Sequence, residues 1–135
     1  MRTIRLIGIL VGTAFLWVLG CGGSTGPATK GEGRIYVQNL YAGASEVTIW
    51  VVSVDGEVVQ GEHYDLTGRS DPVPVTDVLP GGSKVVLHFH VATFEYSQRA
   101  GDFEYEFEVD GNKLIRIKDM YVHEGRLVYE ELRYG

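Results

Sequence analysis

Residues 102–109 read Asp102-Phe103-Glu104-Tyr105-Glu106-Phe107-Glu108-Val109, apolar and acidic side chains in strict alternation. Successive side chains on a β-strand point to opposite faces, so this segment puts Phe103, Tyr105, Phe107 and Val109 on one side and Glu104, Glu106 and Glu108 on the other. The first side is a core surface and the second faces water. A helix would scatter both sets around its axis, so the segment predicts a half-buried strand in a sheet with one covered face.

Working outward, residues 84–93 repeat the pattern, with Val85, Leu87, Phe89 and Val91 inward and Lys84, His88 and His90 outward. Further short runs rich in β-branched and aromatic residues occupy 34–40, 46–54, 57–60, 75–79 and 112–118, with a last pair flanking Glu124-Gly125. No window keeps helical spacing for three turns. Asp55-Gly56 and Asp110-Gly111 each lie between apolar-rich runs, and both predict two-residue type I′ hairpins, whose positive φ angles Asp-Gly supplies. Pro80-Gly81-Gly82 marks another reversal, and Pro72 and Pro74 restrict the chain around Val73 to a sheet edge or a loop. In 46–54, Val51 and Val52 are adjacent apolar residues and Trp50 points opposite to Ile49, which a bulge or a doubly covered central strand explains. Residues 61–71 form the longest irregular stretch. Seven or eight short strands in about a hundred residues predict a small all-β, antiparallel two-sheet sandwich of the immunoglobulin-like or transthyretin-like type over 34–135, with a small barrel as the alternative.

The chain has 135 residues, 44% apolar and 22% charged, which suits one globular domain with a single core. Its formal net charge of -6 becomes -8 without Arg2 and Arg5. Such a balance repels phosphate backbones, so no nucleic-acid partner is expected. Residues 22–33, GGSTGPATKGEG, hold no apolar side chain larger than Ala and predict a flexible tether with a mean span of about 20 Å.

Upstream, Arg2 and Arg5 precede a charge-free apolar run over 6–19, the length of an export signal's apolar region and short of a membrane span. The chain's one cysteine, Cys21, closes that run, so no disulfide can form within it. Val18-Leu19-Gly20-Cys21 resembles the lipobox of bacterial lipoproteins. That resemblance implies a signal peptide over 1–20, taken as helical, and cleavage before Cys21. It also implies acylation of the Cys21 sulfur, and of its amine, which anchors the protein to a membrane. Two or three acyl chains hold stably where one does not, since each buried methylene adds about 0.8 kcal/mol. With Gly22 rather than Asp after the cysteine, the resemblance further implies an outer-membrane destination in a two-membrane cell. The segment from Arg34 to Asn39, with Val54-Asp55-Gly56 and Leu79-Pro80-Gly81, is also similar to a bacterial lipoprotein sandwich domain family of unknown function, which adds fold support only.

Several residues are candidates for chemistry. His88 and His90 project together from one strand face and suit Zn²⁺ or Cu²⁺, with Glu104 or Glu106 across the sheet, or His63 or His123, as a third ligand. Against this stands the ordinary alternative of two solvated histidines. The row Glu104, Glu106, Glu108 and Asp110 lacks the spacing of a calcium loop and reads as a solvated, edge-protecting stripe. No hydrolase motif is present, and Gly81-Gly82-Ser83-Lys84 is a turn rather than a phosphate loop. An enzyme would need His63 and Asp65 to converge with a hydroxyl such as that of Ser70, beside Asp71. Tyr64, Phe94, Tyr96, Tyr121 and Tyr134 sit in or beside loops, where they cover the sandwich ends or stack on a ligand.

Together these features lead to an expected noncatalytic binding or structural module of the cell envelope. Its membrane contact is the lipid on Cys21, its partner an envelope protein or glycan, and no cofactor is expected. A metal-binding envelope protein using His88 and His90 is the alternative, with a hydrolase behind it.

Overall fold

The computed structural model describes residues 29–68, 70–94 and 99–135. The expected signal peptide, Cys21, the tether up to residue 28, and Tyr96 lie outside the described residues. Among the described residues no helix is long and apolar enough to cross a membrane.

The described chain forms strands β1 (Ile35–Asn39), β2 (Ala44–Val54), β3 (Glu57–Val58), β4 (Tyr64–Asp65), β5 (Val73–Pro74), β6 (Lys84–Thr93), β7 (Ala100–Glu108), β8 (Lys113–Tyr121) and β9 (Arg126–Arg133). One sheet has the order β9-β8-β1-β5 and the other β3-β2-β6-β7, with β4 also pairing β2. The two stack as a partly curled sandwich. Between them lie Ile35, Val37, Val47, Ile49, Val85, Leu87, Phe89, Val91, Val109, Ile115 and Ile117, all fully buried. Both alternating segments meet this core with the faces expected of them: Val85, Leu87, Phe89 and Val91 from β6, and Phe103 and Phe107 from β7.

Aromatic side chains close one open side of the sandwich. Tyr105 and Phe107 from β7 meet Tyr129 of β9 at ring separations of 5.1 and 5.6 Å. The Leu127 backbone N–H donates to the Tyr105 hydroxyl at 3.0 Å, tying the edges of the two sheets together. At another corner, fully buried Asn39 donates through Nδ2 to the carbonyls of Leu66 and Gly68 and accepts the Tyr41 N–H through Oδ1. That clamp fastens the irregular 61–71 stretch, and Leu66 fills the core beneath it.

Three expectations need correction. The sandwich is not wholly antiparallel, because β1 runs parallel to β8, with Ile35 opposite Lys113 and Asn39 opposite Ile117. The two strands are far apart in sequence and meet through a long crossover, so no hairpin constrains their direction. Second, the two Asp-Gly pairs do different things. Asp55 and Gly56 both have positive φ and close the β2–β3 hairpin, as expected. At Asp110-Gly111 only the glycine has positive φ, and β7 and β8 do not pair: the chain turns there from one sheet into the other. Third, the run 75–79 is a strand only at its flanks. Pro74 pairs with Tyr36 at the sheet edge, and Leu79 bridges Gly33, while Thr76 accepts the Ile35 N–H on its hydroxyl between them. The proline keeps this segment at the edge, as its missing N–H requires. Of the two readings of 46–54, the bulge is the one present, with Val52 skipped between Val51 opposite Leu87 and Ser53 opposite Val86.

Residues 30–33, the end of the stretch with tether composition, pack against the sandwich. Gly31 donates to Asp110 Oδ1 and accepts from the Gly111 N–H, and Lys30 pairs with Glu108 at 2.9 Å. The approach is close enough to demand glycine. A Cβ on Gly81 would stand 1.9 Å from the Lys30 carbonyl oxygen, and one on Gly33 2.2 Å from the Gly111 carbonyl carbon. Gly81→Ala is therefore expected to release this segment while leaving the core folded, read as faster tryptic cleavage after Lys30. An unchanged cleavage rate would show that the packing does not hold in solution. Phe89→Ala, which empties the largest fully buried position, is expected to lower stability by about 3–5 kcal/mol in urea unfolding.

Candidate functional site

The outer face of the β3-β2-β6-β7 sheet collects most of the chemistry-bearing residues. Because β6 and β7 pair antiparallel with Phe89 opposite Phe103 on the core side, His88 falls opposite Glu104 and His90 opposite Asp102 on the outer side. On the other flank β2 sets Trp50 opposite His88 and Thr48 opposite His90. Three strands thus deliver an indole, two imidazoles and two carboxylates to one patch.

His88 is the hub. Its Nδ1 is 3.0 Å from Glu104 Oε2 and its Nε2 is 2.8 Å from Asp102 Oδ1. A neutral imidazole carries one N–H, so the ring donates to both carboxylates only as imidazolium. The ring lies flat on Trp50, with centroids 4.2 Å apart and planes 11° from parallel, and His63 also stacks on the indole, at 4.2 Å and within 4°. A charged His88 over an indole face gains a cation–π contact as well as two ion pairs. His90 places Nδ1 3.0 Å from the same Asp102 Oδ1, and its Nε2 is 3.8 Å from Glu46. Partial burial of the His88 ring disfavours its charge, but the Asp102 and Glu104 carboxylates outweigh that and hold its pKa above the ordinary histidine value. Hydrogen bonds from His88 and His90 hold the Asp102 carboxyl below the usual aspartate range.

Of the residues singled out from sequence, His88, His90 and Glu104 come together. Glu106 stands opposite Val86 on the same face, outside the cluster, and Glu108 is taken by Lys30. His123 lies in the exposed turn between β8 and β9. His63 goes to Trp50, while Asp65 Oδ1 is held by the backbone N–H and hydroxyl of Thr67, hydrogen bonds that lower its pKa. Ser70 bonds Asn39 instead. The set His63, Asp65 and Ser70 does not converge. Of the loop aromatics, Phe94 is 74% exposed, Tyr121 lies under the Arg126 guanidinium, Tyr64 packs against the core and Tyr134 meets Tyr36.

Asp102, Trp50 and Glu46 were not among the candidates. Direct antiparallel pairing of the two alternating segments sets His90 opposite Asp102, so Asp102 was within reach of the alternation itself. Trp50 and Glu46 depend on the β2–β6 register, which two bulges shift and which no local pattern announces. Among the described residues no group of three or more His, Cys, Asp or Glu side chains is so placed that it could hold a metal ion. Two surface depressions of about 340 and 390 Å³ lie elsewhere, lined respectively by Lys113 and Glu131 and by Arg34 and Tyr64 among others, and neither includes an imidazole. No protein-family model, curated protein or solved structure matches the chain.

The shifts of His88 and Asp102 bracket a pH window. A raised histidine pKa adds stability that is full below the unfolded-state value and disappears as pH rises through the folded one. A lowered aspartate pKa adds stability above its unfolded value that disappears as pH falls through the folded one. The cluster therefore stabilises most in mildly acidic solution. With chelator present, the urea midpoint is expected to fall between about pH 6 and about pH 8.5, and less so in His88→Gln. Equal slopes in the two proteins would remove His88 from the account.

Proposed function

We propose that this chain is a lipid-anchored envelope protein whose sandwich is a noncatalytic module presenting the Trp50, His88 and Asp102 face to another envelope component. The observation that carries the anchoring is the chain's single cysteine, set at the end of a charge-free run behind two arginines and followed by small, polar residues. Support for the module comes from a fold whose chemistry-bearing side chains lie on an open sheet face, with His63, Asp65 and Ser70 engaged apart from one another.

The packed residues 30–33 sharpen this picture. They enter at the end of the sandwich that carries Pro80-Gly81 and Asp110-Gly111. From Cys21 to Lys30 an extended chain reaches at most about 30 Å. An anchor at Cys21 then keeps that end toward the membrane and turns the opposite end, with exposed Phe94, outward. The outer face of β6 and β7 stands between the two ends, open to a neighbour.

In cells grown with labelled palmitate, the wild-type chain is expected to take up label and to sediment with membranes. Cys21→Ser is expected to lose both. A Cys21→Ser protein that sediments as before would overturn the anchoring. A Trp50→Ala variant that cross-links to the same envelope components as wild type would overturn the assignment of the binding face.

A further inference from the structure

We propose that the outer face of the β3-β2-β6-β7 sheet binds one divalent transition-metal ion of the zinc or copper kind, held by His88 Nε2, His90 Nδ1 and Asp102 Oδ1, with Glu104 and Glu46 behind the two imidazoles. The site does not depend on the lipid anchor.

The geometry poses a charge problem. Asp102 Oδ1 stands 2.8 Å from His88 Nε2 and 3.0 Å from His90 Nδ1. The outward nitrogens of both rings face further carboxylates, His88 Nδ1 at 3.0 Å from Glu104 and His90 Nε2 at 3.8 Å from Glu46. When His88 gives its one neutral-ring proton to Glu104, its Nε2 lone pair points straight at an anionic oxygen. A cation between them resolves that contact. A proton is one such cation, and a metal ion is another.

The carboxylate behind the His88 ring favours the metal. A ligating histidine characteristically donates its other N–H to a carboxylate, which fixes the tautomer and makes the ligating nitrogen more basic. His88 has that partner in Glu104 at 3.0 Å, while Glu46 stands 3.8 Å from His90 Nε2, beyond hydrogen-bond length. Imidazole nitrogens with one carboxylate oxygen suit zinc and copper, with water completing the coordination. Metal–ligand bonds near 2.0–2.2 Å put neighbouring donor atoms about 3–3.5 Å apart. The two imidazole-to-Asp102 separations are hydrogen-bond lengths, so the carboxylate oxygen touches both rings instead of sharing an ion with them. Opening them takes a few tenths of an ångström, which the half-exposed Asp102 side chain can supply. The exchange balances: the ion enters, the Nε2 proton of His88 leaves to solvent, and the His90 proton moves to the nitrogen facing Glu46.

Trp50 reports on the site, because its indole stacks on the His88 ring. The chain has one other tryptophan, Trp17, so the full-length protein in detergent carrying Trp17→Phe has a single emitter. Titration with Cu²⁺ at neutral pH is expected to quench Trp50 and saturate at one equivalent, and Zn²⁺ is expected to bind one-to-one by calorimetry. Asp102→Asn and the double variant His88→Ala/His90→Ala are expected to abolish both. Glu104→Gln is expected to weaken both about tenfold, and Glu106→Gln, on the same face but outside the cluster, to leave both unchanged. Circular dichroism establishes that each variant is folded, and Asp102→Asn, which keeps both rings and the side-chain shape, decides the matter if the double variant is not. Failure of both ions to bind saturably, or equal binding by Asp102→Asn, overturns the proposal; an unaffected Glu104→Gln removes Glu104 from it.

Discussion

The pairing of β6 with β7 is the constraint on which the rest of the molecule depends. It puts Phe89 opposite Phe103 inside and His88 opposite Glu104 outside, so one register fixes both the core and the polar cluster. Because side chains alternate, a slip of a single residue would carry Val85, Leu87, Phe89 and Val91 into water and bring the histidines and carboxylates into the core. Burying four large apolar side chains against burying several charges is a difference far larger than any term on the outer face. The cluster is therefore held in place by the core beneath it and does not need to be strong to be well positioned.

This coupling explains what was legible in the sequence. The faces of β6 and β7 could be read because their alternation is strict, and the adjacency of His88 and Glu104 follows once the two strands are joined as a hairpin. The bulge near Val52 could be read because two neighbouring apolar residues cannot both point inward in a regular strand. Asp102 follows from the same hairpin, but Trp50, Glu46 and His63 were not legible, for a definite reason. Trp50 and Glu46 arrive through β2, whose register against β6 is shifted twice, and His63 arrives from an irregular stretch positioned by buried Asn39 and Leu66. Those positions are set by packing between segments far apart in the chain, on which local patterns carry no information.

The two Asp-Gly pairs show the same limit at a turn. Both have the residues a type I′ hairpin prefers, yet only Asp55-Gly56 adopts it. Around Asp110-Gly111 the flanking strands have buried faces that belong to opposite walls of one core. Pairing β7 with β8 would extend one sheet and leave the other without the strand on which β1 and β9 both align. Gly111 serves the sheet-to-sheet crossing instead, and its N–H is satisfied by the Gly31 carbonyl. Composition was similarly silent about residues 30–33. Gly and Lys there look like linker, but Gly81 and Gly33 permit a backbone approach that any side chain would block. A glycine-rich stretch lies loose in solvent or close against a backbone according to what it meets, and its own residues do not distinguish the two.

Electrostatics on the outer face follows from where each group sits. His88 is far more covered than the carboxylates it meets, with 17% of its side chain exposed against 56% for Asp102 and 52% for Glu104. Covering an imidazole normally drives it toward the neutral form. Here one ring plane rests on Trp50 and both ring nitrogens meet carboxylates, so the surroundings that exclude water also supply the negative charge that water would have screened. The carboxylates keep most of their hydration, so the arrangement avoids the heavy desolvation that makes fully buried ion pairs unprofitable. An acidic sheet face built in this way has a standing preference for positive charge at one point, between His88, His90 and Asp102. Whatever occupies that point, a proton or a metal ion, is in direct contact with the ring that covers Trp50, so occupancy there is coupled to the Trp50 indole.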